Sequence, residues 1–196
     1  MKNLPLILAS ESPRRLEILH YFTLPFEKVP HTFDERTISW KGSAHAYAQQ
    51  LSTEKAHTVS ERFPDRAVLA ADTIVVIDGE LLTKPIDRAD AMLMLRRLAG
   101  NWHEVITSIA LSYNGKTQAR SDETRVLMQP LTDQQIEAYL KLNVWSDKVG
   151  GYAIQGAGSI LIERIEGCYY NVIGLPIVPL TSMLEDIGID LWQYLS

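Results

Sequence analysis

An α/β fold built on a mixed β-sheet is what this sequence predicts, and three features carry the prediction. Short apolar runs alternate with segments of helical periodicity. Asp78-Gly79 and Asn114-Gly115 each separate two strand-like segments, the signature of a tight hairpin. Hairpins interleaved with helices exclude a purely parallel sheet. No linker, low-complexity tract or internal repeat interrupts the chain, so residues 1–196 are read as a single domain.

Taken in order, Leu4 to Ala9 is a short apolar run and reads as a buried strand. Ser12-Pro13 follows as an N-cap with proline at the first helical position, and Leu16, Ile18 and Leu19 supply that helix's buried side. Phe26 to Val29 is a second strand. Residues 43–60 place Ala44, Ala48, Leu51 and Lys55 at helical spacing. Ala67 to Ile77 is a strongly apolar strand interrupted by Asp72-Thr73 and closed by the Asp78-Gly79 turn. A helix over 87–98 directs Ala91, Met94, Leu95 and Leu98 inward. His103 to Ser112 and Lys116 to Met128 flank Asn114-Gly115 as a second hairpin. Thr132 with Gln135 makes a capping box for a helix through Leu142. Gly150 to Gly158 is a glycine-rich loop holding Gln155. Ser159 to Ile165 reads as a strand and residues 179–194 as a final helix.

Composition narrows the function. The chain is 46% hydrophobic and 22% charged, as soluble globular proteins are. Its 19 Lys and Arg against 24 Asp and Glu give a net charge of -5, which argues against a general nucleic-acid binder. An anionic ligand must then be held by a local cluster of positive groups. The one cysteine, Cys168, permits no internal disulfide, and one Cys with five scattered His makes a Cys/His metal cluster implausible. The first apolar run meets Glu11, Arg14 and Arg15 too soon for a signal sequence or a membrane span, so no membrane partner and a cytoplasmic location are expected.

Two placements run against local physics. Arg14 and Arg15 fall in the first turn of the helix begun by Ser12-Pro13, where positive charge opposes the helix dipole by roughly 0.3–1 kcal/mol each. Either both are simply solvated, or a strand, a Ser-rich turn and two bidentate donors form an anion site. Asp72 lies within Val68-Leu69-Ala70-Ala71-Asp72-Thr73-Ile74-Val75-Val76, and a charge in a buried strand is costly unless paired. It is a metal ligand, a general base, or an acid capping a turn at a bulge. Lys55, Lys84 and the Asp34-Glu35 pair are unremarkable alone. Gln155, between Ile154 and Gly156, has an amide that can donate to one carbonyl and accept from an adjacent N–H, the pair that uracil and thymine present at O4 and N3.

With these residues assembled, the sequence resembles the Maf family. Three blocks carry the resemblance: Leu8-Ala9-Ser10-Glu11-Ser12-Pro13-Arg14-Arg15; Ala71-Asp72-Thr73 through Gly79 and Lys84-Pro85 to Leu98-Ala99-Gly100 and His103; and Gly151-Tyr152-Ala153-Ile154-Gln155-Gly156 with Glu166-Gly167 and Asn171-Val172-Ile173-Gly174-Leu175-Pro176. They follow in order over most of the chain. The resemblance implies an elongated mixed sheet with flanking helices and two lobes around a central cleft, like inosine triphosphatases, and a homodimer. It implies hydrolysis of nucleoside triphosphates to monophosphate and pyrophosphate with Mg²⁺ or Mn²⁺. On the matching positions, Asp72 is implied as the catalytic base. Ser10, Arg14, Arg15, Lys55 and Lys84 are implied as the phosphate-binding shell, and Glu35 with Asp72 as metal ligands. Arg14, Thr73 and Gln155 match positions linked to substrate choice.

The Ile-Gln-Gly form of the third block resembles the branch acting on dTTP and UTP, with CTP and modified pyrimidine nucleotides as further candidates. The branch preferring 7-methyl-GTP has an acidic residue near this position, and a carboxylate suits the donor edge of guanine. Thr83, Val149-Gly150-Gly151 and Cys168 depart from the family pattern, and none removes a charged site residue. The rival readings are a 7-methyl-GTP pyrophosphatase and a non-catalytic nucleotide-binding regulator of septum formation. A Rossmann-like binder ranks last, because no G-x-G-x-x-G follows a strand.

Overall fold

The computed structural model describes residues 5–195. Seven strands form one mixed sheet with the hydrogen-bonded order β2-β1-β3-β5-β6-β7 and β4 on β3. The strands are β1 (Leu6–Leu8), β2 (Phe26–Lys28), β3 (Val68–Ile77), β4 (Glu80–Leu82), β5 (Trp102–Tyr113), β6 (Lys116–Met128) and β7 (Ile162–Glu166). The helices are α1 (Pro13–Leu19), α2 (Ala44–Ser60), α3 (Arg88–Leu98), α4 (Asp133–Leu140), α5 (Tyr169–Ile173) and α6 (Ile177–Glu185). Leu4, expected to open the first strand, lies outside the described residues. No helix among the described residues is long and apolar enough to cross a membrane.

The chain groups into two compact units. The first comprises residues 1–72, 107–122 and 174–196, and the second residues 73–106 and 123–173. In the first, β1 runs parallel to both β2 and β3, with Leu8 opposite Lys28 and Leu69. Ile7 of β1, Ala9 just beyond it, and Val68 and Ala70 of β3 bury in one cluster with Ala56 and Val59 of α2. The helix fits because its small residues let it lie close to the sheet; Ala48 and Ala56 are fully buried. Ser12 begins α1 with an extended backbone and proline follows as expected, but its side chain makes no capping hydrogen bond.

In the second unit, α3 and α4 pack together over a core of Val75, Leu82, Leu95, Leu98, Ile136 and Leu140. Both expected hairpin turns form, with φ of 52° and 76° at Asp78-Gly79 and 51° and 72° at Asn114-Gly115, the double left-handed geometry these dipeptides favour. The Thr132–Gln135 capping box is complete. α4 stops at Leu140 rather than Leu142 because Asn143 turns left-handed, with φ 54°. The strand expected from Ser159 begins only at Ile162, since residues 156–161 form a 3₁₀ turn closed by Ser159 Oγ donating to the Gly156 carbonyl. The last helix of the first unit is also shorter than expected. It ends at Glu185, and Gly188 at φ 83° lets the Ile189 N–H return to the Leu184 carbonyl. Met94 is only half-buried, and the five-residue α5 was not anticipated.

His103 is a buried polar residue of this second unit, 2% exposed, with Nε2 2.6 Å from the Tyr152 hydroxyl. Burial pulls its imidazole down to about 4, an effect that the Asn101 backbone moderates. The folded value lies below the ordinary 6.5, so between pH 6.5 and 4 the unfolded chain binds the extra proton and stability falls as pH falls. His103→Gln removes this group. The stability gap between wild type and variant in urea unfolding is expected to shrink by about 3 kcal/mol from pH 7 to pH 4. A gap that stays constant with pH would show that His103 titrates normally.

Candidate active site

Parallel pairing sets the site up. Because β2, β1 and β3 run the same way, the segments leaving their carboxyl ends emerge on one edge of the first unit. Beyond β2 comes a 3₁₀ turn, Glu35–Thr37, capped by Asp34 accepting from the Arg36 N–H. Beyond β1 come Ser10 and the start of α1 with Arg14 and Arg15. β3 carries Asp72 past its pairing with β1. α2 then brings Lys55 in from the side.

The centre of the arrangement is Lys55. Its side chain is 5% exposed, and its ammonium lies 2.8 Å from Glu35 Oε1 and in direct contact with Asp72 Oδ1. Asp72 is almost fully buried, whereas half of the Glu35 side chain is exposed. Burial pushes the Asp72 carboxyl up; Lys55 and then Arg15 oppose this, and Glu35 reinforces it. A carboxylate raised in this way is a better proton acceptor than a solvated one, which is what a general base requires.

Ser10 and Arg15 support this centre. Ser10 Oγ accepts from the Ser12 N–H at 3.2 Å and from Arg15 Nη1 at 3.1 Å. Arg15 Nε donates to the Gly174 carbonyl at 2.9 Å. Arg15 is therefore fixed in place by the protein, and its charge acts on Asp72 at the same time. Burial lowers the Arg15 guanidinium, Asp72 opposes this, and arginine stays protonated in proteins. Arg14 is half-buried in the same turn. Since α1 has only seven residues, the cationic side chains rather than the helix dipole carry the case for anion binding.

Of the residues singled out from sequence, the first unit thus collects Ser10, Arg14, Arg15, Glu35, Lys55 and Asp72. Thr73, Lys84 and Gln155 belong to the second unit. There Lys84 is exposed just beyond β4, and the Gly150 N–H donates to the carbonyl of the preceding Thr83 at 3.0 Å. Gln155 is half-buried and extended, with φ -88° and ψ 156°.

Two neighbours of the centre were not foreseen. Burial raises the Tyr47 phenol, and Asp72 and Glu35 raise it further. Tyr47, Leu51 and Lys55 are spaced four residues apart on α2, so one helix face carries all three, and that spacing was readable. His31 has a buried Nδ1 without a hydrogen-bond partner among the described residues. Burial lowers its pKa first, and Lys55 lowers it further. Nothing in the loop sequence around His31 marked it.

An oxygen-only pair of carboxylates converging on one positive centre matches what Mg²⁺ or Mn²⁺ takes from a protein when phosphates and water supply the rest of the shell. Among the described residues no third His, Cys, Asp or Glu joins them as a dedicated metal cage. Glu35 and Asp72 therefore fit an ion shared with a phosphorylated ligand.

Fold and site together define a class: an α/β protein with a buried acid–ammonium pair and clustered arginines at the carboxyl ends of parallel strands, suited to phosphorylated ligands. The chain belongs to the Maf family, whose model, described as Maf-like protein, matches residues 5–187. It is 42% identical over 194 residues to a Chlamydia pneumoniae protein named nucleoside triphosphate pyrophosphatase, covering 98% of each chain. It is 40% identical over 191 residues to a Chlamydia caviae protein named dTTP/UTP pyrophosphatase, covering 97% of each. Among solved structures it is similar to the Ham1 protein of Staphylococcus aureus with a TM-score of 0.42 and 16% identity, over 64% of this chain and 72% of that one.

Proposed function

We propose that this protein is a nucleoside triphosphate pyrophosphatase that hydrolyses dTTP and UTP to the nucleoside monophosphate and pyrophosphate. The observation that carries the reading is the buried Asp72 held against Lys55 beside Arg15 and Glu35. Relatives bearing the names given above support the substrate class. In the reaction a water oxygen attacks the α-phosphorus and the bond to the α–β bridging oxygen breaks. Asp72 takes the water's proton, and pyrophosphate leaves with the bridging oxygen. Arg14, Lys55 and Lys84 balance the charge of the triphosphate, and Arg15 keeps Ser10 and the β1–α1 turn in place. Positioning and electrostatics of this kind dominate phosphoryl-transfer catalysis. Glu35 and Asp72 would hold a Mg²⁺ or Mn²⁺ ion, which when bound supplies positive charge against the phosphate oxygens. Gln155 reads the base, donating to O4 and accepting from N3–H, with Thr73 helping to fix the nucleotide.

The test is product analysis over a panel of dTTP, UTP, CTP, GTP, ATP and 7-methyl-GTP, with and without Mg²⁺ or Mn²⁺. Monophosphate and pyrophosphate in equal amounts are expected, fastest from dTTP and UTP and dependent on the ion. Release of orthophosphate from the γ-position, or binding without turnover, would overturn the reading. A preference for 7-methyl-GTP would keep the chemistry and move the substrate.

A further inference from the structure

The second unit contains a set of buried polar groups that this chemistry leaves unused, and they converge on the residues just before Gln155. Tyr152 is 6% exposed, and its hydroxyl lies 2.6 Å from His103 Nε2 with the rings edge to face at 5.3 Å. The next residue, Ala153, donates its backbone N–H to the hydroxyl of Tyr139 at 3.0 Å, and Tyr139 is 4% exposed on α4. The chain entering Gln155 is thus pinned twice, by a side chain from β5 and by a helix phenol.

The chain leaving it is pinned as well. The Gly158 N–H returns to the Gln155 carbonyl at 3.3 Å. Gly158 lies so close to the preceding segment that a Cβ there would come within 2.0 Å of the Ala153 carbonyl oxygen. Buried phenols are a demanding way to hold a loop, since each hydroxyl needs a partner once removed from water. A loop that only had to connect two elements would not need them.

We propose that Tyr139, through Ala153, and the His103–Tyr152 pair are positioning residues that fix the Gln155 amide for base discrimination. The inference rests on the pyrophosphatase reading and on Gln155 as the base reader. An amide discriminates only when its donor and acceptor are held in place. A backbone that shifts carries the amide off the base edge, and an amide no longer aimed at position 4 separates a 4-oxo from a 4-amino group less well.

The experiment compares kcat/KM for UTP and CTP in wild type, Tyr139→Phe, Gln155→Ala and the double variant, with hydrogen exchange at the Ala153 amide measured alongside. Tyr139→Phe keeps the ring in the core and removes only the acceptor. The UTP:CTP ratio is expected to fall about fivefold, the equivalent of one ordinary hydrogen bond, through KM more than kcat. Ala153 exchange should quicken. In the Gln155→Ala background the same substitution should leave the ratio unmoved, which a merely structural role would not predict. Equal losses on both nucleotides, unchanged Ala153 exchange, or a fall that persists without Gln155 would each overturn the inference. Tyr152→Phe, which strips the hydroxyl from His103, gives the same comparison should Tyr139→Phe fail to fold. Failure of the underlying reading is visible separately, in wild type, as no pyrophosphate release or equal rates on all bases; it removes the inference too.

Discussion

Asp72→Asn is expected to lower kcat for pyrophosphate release by about 10²–10⁴, the usual worth of a general base, while the protein remains folded. The two halves of that expectation have separate causes. Asparagine has nearly the shape of aspartate but cannot take a proton from water at neutral pH. Folding is spared because the native carboxylate is held at a cost: burial pushes its pKa up, and only Lys55 and Arg15 restrain the rise. A neutral amide escapes that cost and gives up the ion pair, and Lys55 keeps Glu35 at 2.8 Å. The pH profile adds a second readout. Wild-type kcat/KM should climb with pH through the raised Asp72 value as the base becomes available, and this limb should vanish in Asp72→Asn. Steady-state assays with a thermal melt check both. A folded variant with wild-type kcat would remove Asp72 from the chemistry.

How much of this was legible beforehand depends on whether a feature is written locally. The hairpins were, because Asp78-Gly79 and Asn114-Gly115 demand left-handed backbone that few other dipeptides accept. The capping box at Thr132 and Gln135 was too, since both partners lie within one turn. Asp72 stood out as an acid inside a run of apolar strand residues. What was not local was lost. The strand expected from Ser159 is delayed to Ile162 by the 3₁₀ turn over residues 156–161, and the closeness of Gly158 to Ala153 within that turn is a packing fact with no periodicity. Beside the phosphate contact that the resemblance implies for it, Arg15 makes hydrogen bonds to Ser10 and to Gly174, 159 residues away, an anchoring role that no window of sequence contains. The triple meeting of Lys55, Glu35 and Asp72 likewise depends on parallel strand order. Sequence supplied Asp72 through a family block, and Glu35 and Lys55 through the wider resemblance; the pairing of β1 with β2 and β3 supplied the reason they meet.

That meeting makes Lys55 the most consequential single position for the unliganded protein. Lys55→Met keeps the length and volume of the stem and deletes the ammonium between two carboxylates. Glu35, half exposed, can turn to solvent, but Asp72 is fixed in β3 with no such route. Removing one member of a buried ion pair typically destabilises by about 3–5 kcal/mol, because the other charge is left unpaired. Protonation sets a ceiling on the loss. Asp72 can instead become neutral, at about 1.4 kcal/mol per pH unit above an ordinary carboxylate value near 4, or about 5 kcal/mol at pH 7.5. The sign of the pH dependence follows from this. Asp72 is already raised in the native protein by burial, and without the ammonium that opposes this it rises further. The variant's loss relative to wild type is therefore small at low pH, where the Asp72 carboxyl is protonated in both, and grows as pH rises above the native Asp72 value. Urea unfolding of Lys55→Met should therefore show a loss of about 3 kcal/mol at pH 7.5 that closes towards pH 4. Adding Asp72→Asn should recover most of it at pH 7.5, since the stranded charge is then gone. Should Lys55→Met match wild type at pH 7.5, or should its loss be the same at every pH and indifferent to Asp72→Asn, then Lys55 is not what allows an ionised Asp72 to stand inside β3.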